Sequence, residues 1–287
     1  MAISSDLLAL TKPRLSVLVI ITAGGGFWLS HGDSGFWLAV FAVGGTTLVV
    51  AAANTLNNYL ERDSDKYMAR TRNRPLPSQR MAPTTALVFG LFLTAIAIPG
   101  LTLLTTPMAG VLAAIALITY VLVYTPLKRI SSMNTLVGAI PGGMPPLIGW
   151  AAATGRIELG GVLLFFLMFL WQIPHSLAIT IYRQAEYEQA GLVVLPSTQG
   201  LEATRRQILL YTFVLFPVPL FLFHAGVCGW LTLVVGTMVG AWWLASACRG
   251  FLDRGTASWA RKFFFQSLIY LSVCFASLTL DAFWLGV

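Results

Sequence analysis

Residues 36–66 read FWLAVFAVGGTTLVVAAANTLNNYLERDSDK. The first 18 of these carry no charge; Asn54, Asn57 and Asn58 then enter, and the stretch closes on Glu61, Arg62, Asp63, Asp65 and Lys66. An uncharged run of this length reads as a membrane-spanning helix. Polar side chains that begin inside such a helix are costly in hydrocarbon and mark a site. If the helix continues, Asn54, Asn57, Asn58, Glu61 and Asp65 share one face through three- and four-residue spacing. Asn57 to Asp65 then covers about 12 Å of helix rise, enough to offer oxygen ligands to more than one cation. Hard oxygen donors without His or Cys point to Mg²⁺ rather than zinc. The basic run Lys66, Arg70, Arg72 and Arg74 follows at once. Acid for a metal beside base for phosphate is what a diphosphate site requires.

The rest of the chain repeats the membrane pattern. Of 287 residues, 57% are hydrophobic and only 10% charged, against about a quarter charged in soluble domains. This excludes a disordered chain, a fibrous protein and an ordinary soluble globule. The expected fold is all-α: one integral-membrane domain over 1–287, with about nine transmembrane helices around a central cavity open to the cytoplasmic side. The spans fall near 15–32, 36–60, 83–101, 107–125, 134–153, 158–182, 207–226, 228–247 and 263–284. With alternating sides, 17 of the 18 basic residues lie on one face and only Arg156 on the other. That asymmetry places the N-terminus and the long loops 61–82 and 183–206 in the cytoplasm. The net charge of +7 is therefore topology plus a diphosphate site, and no nucleic-acid partner is expected. Cys228, Cys248 and Cys274 are scattered and suggest neither a disulfide framework nor a zinc site. Residues 1–12 are too short and too weakly apolar for a cleavable signal, and they lack transit-peptide character. A bacterial inner membrane is the expected location, with the lipid bilayer as a partner.

A second polar stripe closes the sixth span, where Gln172, His175, Tyr182 or Arg183, and Glu186 recur on one face behind Pro174. Pro174 is expected to loosen the helix beside His175. Lys128 and Arg129, with Tyr124, are further candidates for phosphate contacts. Asn134, Gly138, Pro141, Gly142, Gly143, Pro145, Pro146 and Gly149 crowd the fifth span, which reads as wide and partly unwound around a bulky ligand. Lys12-Pro13-Arg14 is either a topology anchor or part of a cavity rim. His31 and His224 fall near the outer face and carry no ligand role. Glu61 and Glu186 close even-numbered spans 125 residues apart, hinting at two tandem halves that face each other.

The stretch Asn57–Asp65, with Arg70-Thr71 and Asn73-Arg74-Pro75-Leu76, resembles the first acidic motif of UbiA-type intramembrane prenyltransferases. Thr11-Lys-Pro-Arg14, Tyr124-Thr-Pro-Leu-Lys-Arg129, Gly142-Gly-Met-Pro-Pro-Leu-Ile-Gly-Trp150 and Trp171-Gln-Ile-Pro-His175 narrow it. So do Ile181-Tyr-Arg183, Glu186-Tyr187, Ala190-Gly191 and Leu195-Pro196; over about residues 11–200 the chain resembles the protoheme IX farnesyltransferase (heme O synthase) family. It departs from the family in having Glu at 61 and 186 where Asp is usual, and Ala190 where the second motif carries an acid.

The resemblance implies transfer of a farnesyl group from farnesyl diphosphate to a vinyl group of heme B, followed by addition of water, for terminal-oxidase heme biosynthesis. On that reading Asn57, Asn58, Glu61, Asp65 and Glu186 hold Mg²⁺, and Arg62, Lys66, Arg70, Arg74, Lys128, Arg129 and Arg183 neutralise the diphosphate. Arg62 stands with Asn57, Glu61, Asp65 and His175 as a catalytic candidate. Gln172 and His175 face the heme; His175 either orients or ligates it or accepts a proton, and its tautomer is open. Heme A synthase and the oxidase assembly are the expected protein partners. Two other readings stand beside this one: a UbiA-type enzyme acting on an aromatic quinone precursor, and, from another class, a secondary transporter. The transporter reading suits inverted repeats and midplane ion sites, whereas here the acids gather at one face.

Overall fold

The computed structural model describes residues 2–30, 32, 35–252 and 256–284. His31 and the side chain of Arg14, both named above, and Arg254, one of the 17 basic residues counted on one face, lie outside the described residues.

The chain is a helical bundle in the order α1 (Ala2–Leu10), α2 (Pro13–Trp28), α3 (Phe36–Glu61), α4 (Pro83–Leu104) and α5 (Pro107–Ile118). Next come a π-helical turn (Thr119–Tyr124), the short α6 (Thr125–Leu127), α7 (Asn134–Thr154), α8 (Leu159–Tyr182) and α9 (Gln184–Gln189). Then follow α10 (Leu195–Leu215), α11 (Val218–His224), α12 (Trp230–Leu252) and α13 (Ala257–Trp284). Eight segments are long and apolar enough to cross a membrane, and Ser16–Trp28 within α2 is a shorter ninth apolar helix among the described residues. The protein is thus a multi-pass membrane protein. One buried core joins residues of α2, α3, α4, α5 and α7. A second is built mostly from α8 and α10 to α13.

Two boundaries move from the sequence-based expectation. The seventh span begins at Leu195 rather than 207, because Pro196 sits in a first helical turn, where no N–H is missed, and Glu202 pairs with Arg206 one turn on. The helix breaks only at Gly200, whose φ of 83° is open to glycine. The last span begins at Ala257 and carries Arg261 and Lys262 in its first turns. The loop expected at 183–206 is consequently mostly helix.

The fifth span is continuous helix in spite of three internal prolines, not partly unwound. Its small residues serve close packing. A Cβ at Gly149 would stand 2.0 Å from the Ala23 carbonyl oxygen, and one at Gly26 2.0 Å from that of Pro146. α2 and α7 therefore meet backbone to backbone, as small residues allow in membranes. Gly149→Ala is expected to destabilise the protein by about 3 kcal/mol or more, since neither helix can yield without repacking. Thermal unfolding in detergent checks this; an unchanged midpoint would contradict the contact. α8 likewise runs through Pro174 without interruption.

Candidate active site

α3 ends at Glu61, so the acidic stripe does not continue along a helix. The chain turns, and a single 3₁₀ turn (Asp65–Tyr67) brings Asp65 back into the protein. Thr71 donates its hydroxyl to the Asp65 carbonyl at 2.8 Å. Arg74 donates to Asp65 Oδ2 at 2.7 Å and to Asn58 Oδ1 at 3.2 Å. Asp65 is 1% exposed, and its Oδ1 is buried without a hydrogen-bond partner among the described residues.

The three asparagines of α3 grip the N-terminal segment. Asn58 Nδ2 donates to the Leu10 carbonyl at 3.0 Å, and Asn54 Nδ2 to the Thr11 carbonyl at 3.3 Å. Asn57 Oδ1 accepts from Lys12 Nζ at 3.1 Å, while its amide donates to Thr125 Oγ1 at 3.0 Å. Lys12 itself is left-handed, with φ 52° and ψ 62°, a strained backbone held by these contacts. Lys12, Asn57, Glu61, Asp65, Arg70, Arg74 and Lys128 all line one cavity of about 280 Å³, together with Tyr120, Tyr124, Gln172 and Tyr187.

From the far side, Lys128 Nζ reaches Glu61 Oε1 at 2.6 Å and lies 4.4 Å above the Tyr124 ring. Burial opposes the charge on Lys128, but the Tyr124 face and the Glu61 carboxylate outweigh it and hold its pKa above the ordinary lysine value. The π-turn precedes Pro126, which has no N–H to give and crowds the preceding turn. The widened turn sets both Tyr120 and Tyr124 on the cavity, as such bulges often do at sites. Val193 N donates to the Lys128 carbonyl at 2.8 Å and Asn134 Nδ2 to the Val193 carbonyl at 2.8 Å. These bonds fold the 190–194 connector over the same end.

Several sequence candidates stand elsewhere. Arg62 folds back onto the Tyr59 carbonyl at 2.7 Å and over the Tyr59 ring. Lys66 pairs with Asp63 at 3.0 Å, and that hydrogen bond holds the exposed Asp63 carboxyl below the usual range. Arg129 is exposed. Glu186 is taken by Arg183 at 3.0 Å, and neither lines the cavity. Asn58 sits behind Arg74 rather than on the cavity wall. His175 lies off the cavity, against α13. Lys12, left undecided by the sequence between anchor and rim, is on the cavity wall. Its only signal was the basic residue before Pro13.

A second, apolar chamber of about 290 Å³ adjoins the first and shares Tyr120, Tyr124, Gly138 and Gln172 with it. Its walls include Leu18, Val49, Ala53, Leu117, Pro145, Met168 and Trp171. A Cβ at Gly138 would meet the Tyr124 ring at 2.6 Å, so glycine there lets that ring stand between the chambers. Gln172 Nε2 donates to the Ala139 carbonyl at 2.8 Å, fixing it at the same junction.

Among the described residues no three His, Cys, Asp or Glu side chains converge. The donor set nonetheless fits Mg²⁺, which binds through one or two carboxylates and takes its remaining oxygens from water and phosphate. The unpaired buried Asp65 Oδ1 is the open valence, and Glu61 is the second carboxylate on the wall.

Lys12 is expected to give the site a pH dependence. Burial, then repulsion from Arg74 and Lys128, lowers its pKa to about 7, with Glu61 and Asp65 offsetting part of the shift. A lowered lysine pKa means the positive charge is present below pH 7 and lost above it. KM for a diphosphate substrate should rise between pH 6 and 8, and Lys12→Arg should flatten that rise. A pH-independent KM in the unaltered chain would contradict it.

A buried chamber of mixed charge that adjoins an apolar one suits a ligand with a charged head and an apolar tail. The UbiA prenyltransferase family matches residues 18–269, and the chain belongs to that family. It is 47% identical to the protoheme IX farnesyltransferase of Myxococcus xanthus (strain DK1622), covering 97% of this chain and 95% of that one. It is 45% identical to that of Anaeromyxobacter dehalogenans (strain 2CP-C), covering 98% and 95%. Within the UbiA family, it is with the protoheme IX farnesyltransferases that the chain belongs. The fold is shared with a digeranylgeranylglyceryl phosphate synthase (TM-score 0.84, 16% identity, covering 98% of this chain and 99% of that one). It is also shared with a UbiA homolog from Archaeoglobus fulgidus bound to DMAPP and Mg²⁺ (TM-score 0.69, 15% identity, 96% and 99%).

Proposed function

We propose that this chain transfers the farnesyl group of farnesyl diphosphate to a vinyl group of heme B, giving heme O. The observation that carries the reading is the pairing of chambers. The polar one holds Asp65 with an unpaired carboxylate oxygen amid Lys12, Arg74 and Lys128. The apolar one meets it at Tyr120 and Tyr124. The diphosphate fits the first and the farnesyl chain the second.

In this mechanism Asp65 and Glu61 would hold Mg²⁺, which supplies charge neutralisation at the departing diphosphate. Lys12, Arg70, Arg74 and Lys128 bind the same oxygens. The allylic C–O bond breaks with its electron pair going to the leaving oxygen, and fixed cations are the main source of rate in such a step. The apolar walls and the Tyr124 face shield the carbocation from water. The vinyl group of heme B forms the new C–C bond, water adds to the resulting cation, and one proton is released.

The basic end of the bundle faces the cytoplasm of a bacterial inner membrane on this reading, as the loop charges favour, and the product passes to a heme A synthase or the oxidase assembly. Incubating the purified chain with farnesyl diphosphate and Mg²⁺ in parallel with hemin or 4-hydroxybenzoate tests acceptor choice. Product from the hemin arm alone is expected; prenylated 4-hydroxybenzoate with no Soret change on adding hemin would replace heme by a quinone precursor.

A further inference from the structure

A chain of hydrogen bonds runs from the head-group wall of the polar chamber to the π-helical turn. Lys12 Nζ donates to Asn57 Oδ1 at 3.1 Å, Asn57 Nδ2 to Thr125 Oγ1 at 3.0 Å, and Thr125 Oγ1 to the Tyr120 carbonyl at 2.8 Å. The backbone N–H of Thr125 reaches the same carbonyl, so this one residue closes the widened turn twice. Asn57 is 1% exposed and Thr125 5%, which leaves water little access to either. Thr125 itself stands behind the cavity wall, whereas Lys12 and Asn57 line it.

The direction of this chain is fixed from its far end. A carbonyl oxygen only accepts, so the 2.8 Å contact with Tyr120 must carry the single hydroxyl hydrogen of Thr125. Toward Asn57 the threonine oxygen then offers lone pairs alone, and the amide must turn its NH₂ to it. The Asn57 oxygen consequently faces Lys12, whose nitrogen holds hydrogens whether or not it is charged. With the amide reversed, two acceptors would meet at Thr125 and two donors at Lys12. Links that all donate in one direction also polarise and strengthen one another.

We propose that Thr125 is a positioning residue for the diphosphate: its hydroxyl sets the Asn57 amide and so holds the Lys12 side chain on the head-group wall. Lys12 needs such a hold. Its backbone is left-handed, its stem is long and flexible, and the neighbouring cations Arg74 and Lys128 repel it. The role in substrate binding rests on the reading that the polar chamber takes a diphosphate, whereas the direction of the chain does not.

The test uses the full chain in detergent with Mg²⁺ and farnesyl thiodiphosphate, an analogue that binds without reacting, its affinity read by calorimetry. Thr125→Val, which has the shape of threonine without the hydroxyl, should weaken binding about 10-fold, the cost of one buried amide left unpaired. Thr125→Ser keeps the hydroxyl and should stay within about twofold of the unaltered chain. Thr125→Ala takes the place of the valine variant if that chain does not fold. Because the effect passes through Lys12, Thr125→Val should cost no further affinity in a Lys12→Ala chain, a coupling that a purely structural threonine would not show. Unchanged affinity in a folded Thr125→Val, or losses that add in the Lys12→Ala chain, would overturn the positioning role. An unaltered chain that does not bind the analogue would count against the diphosphate reading. The hydrogen-bond chain is then judged by thermal unfolding of Asn57→Ala, Thr125→Val and their combination: coupled losses in midpoint support it, and additive losses would overturn it.

Discussion

Asp65→Asn is expected to lower kcat by about two to three orders of magnitude, the loss typical of removing one preorganised electrostatic contact from a buried site. The amide has the shape of the carboxylate, so it can still accept from Arg74, whose hydrogen bond to Oδ2 is 2.7 Å. What disappears is the negative charge and the buried carboxylate oxygen that, among the described residues, no protein group satisfies. The Mg²⁺ concentration needed for half-maximal rate should rise at the same time. Arg74 loses its ionic partner, and breaking a buried pair costs stability as well as rate. Arg74 is 23% exposed at its side chain, so solvent moderates that part. Thermal unfolding of Asp65→Asn beside Arg74→Gln separates the two effects. A kcat within twofold of the unaltered chain, with the same Mg²⁺ dependence, would remove Asp65 from the site.

Lys128→Met should lower kcat by about a hundredfold and raise KM for farnesyl diphosphate. The substitution strips a cation from the cavity wall and leaves the buried Glu61 carboxylate, 2.6 Å from the lost ammonium, without its nearest counter-charge, with Lys12 and Asn57 offsetting only part of the loss. An uncompensated buried charge is more damaging than a missing pair. Combining it with Glu61→Gln should therefore recover stability without recovering activity. The coupling between the two changes should fall at about 1–3 kcal/mol in unfolding measurements, as expected for groups in direct contact. Additive stabilities would mean that the pair does not act as a unit. Restored turnover in the double variant would mean that neither charge serves the diphosphate.

The spans were legible in the sequence because apolar runs and one-sided basic loops are local signals, and the shifted boundaries at Leu195 and Ala257 lie where polar helix extends beyond the apolar run. The site was legible only in part. Glu61 and Asp65 were readable as a pair, but the face they were assigned to required helix past residue 61, and the chain turns instead. The asparagines look like ligands in sequence, yet Asn54, Asn57 and Asn58 grip Thr11, Lys12 and Leu10. That clamp joins positions more than 40 residues apart, and no spacing rule exposes it. The basic run reads uniformly from Arg62 to Arg74, while only the fold separates Arg70 and Arg74 on the cavity from Lys66, which answers Asp63. Thr125 reads in sequence as an uncharged step between Tyr124 and Lys128; its place beside Asn57 follows from α3 packing on the π-turn.

The central claim is that the two chambers join a farnesyl group to a heme, and the mass of the porphyrin product tests it most directly. Purified chain given heme B, farnesyl diphosphate and Mg²⁺ should yield a porphyrin heavier by one farnesyl group and one hydroxyl, and Asp65→Asn should yield almost none. Unmodified heme B recovered from an active preparation that consumes farnesyl diphosphate would contradict it.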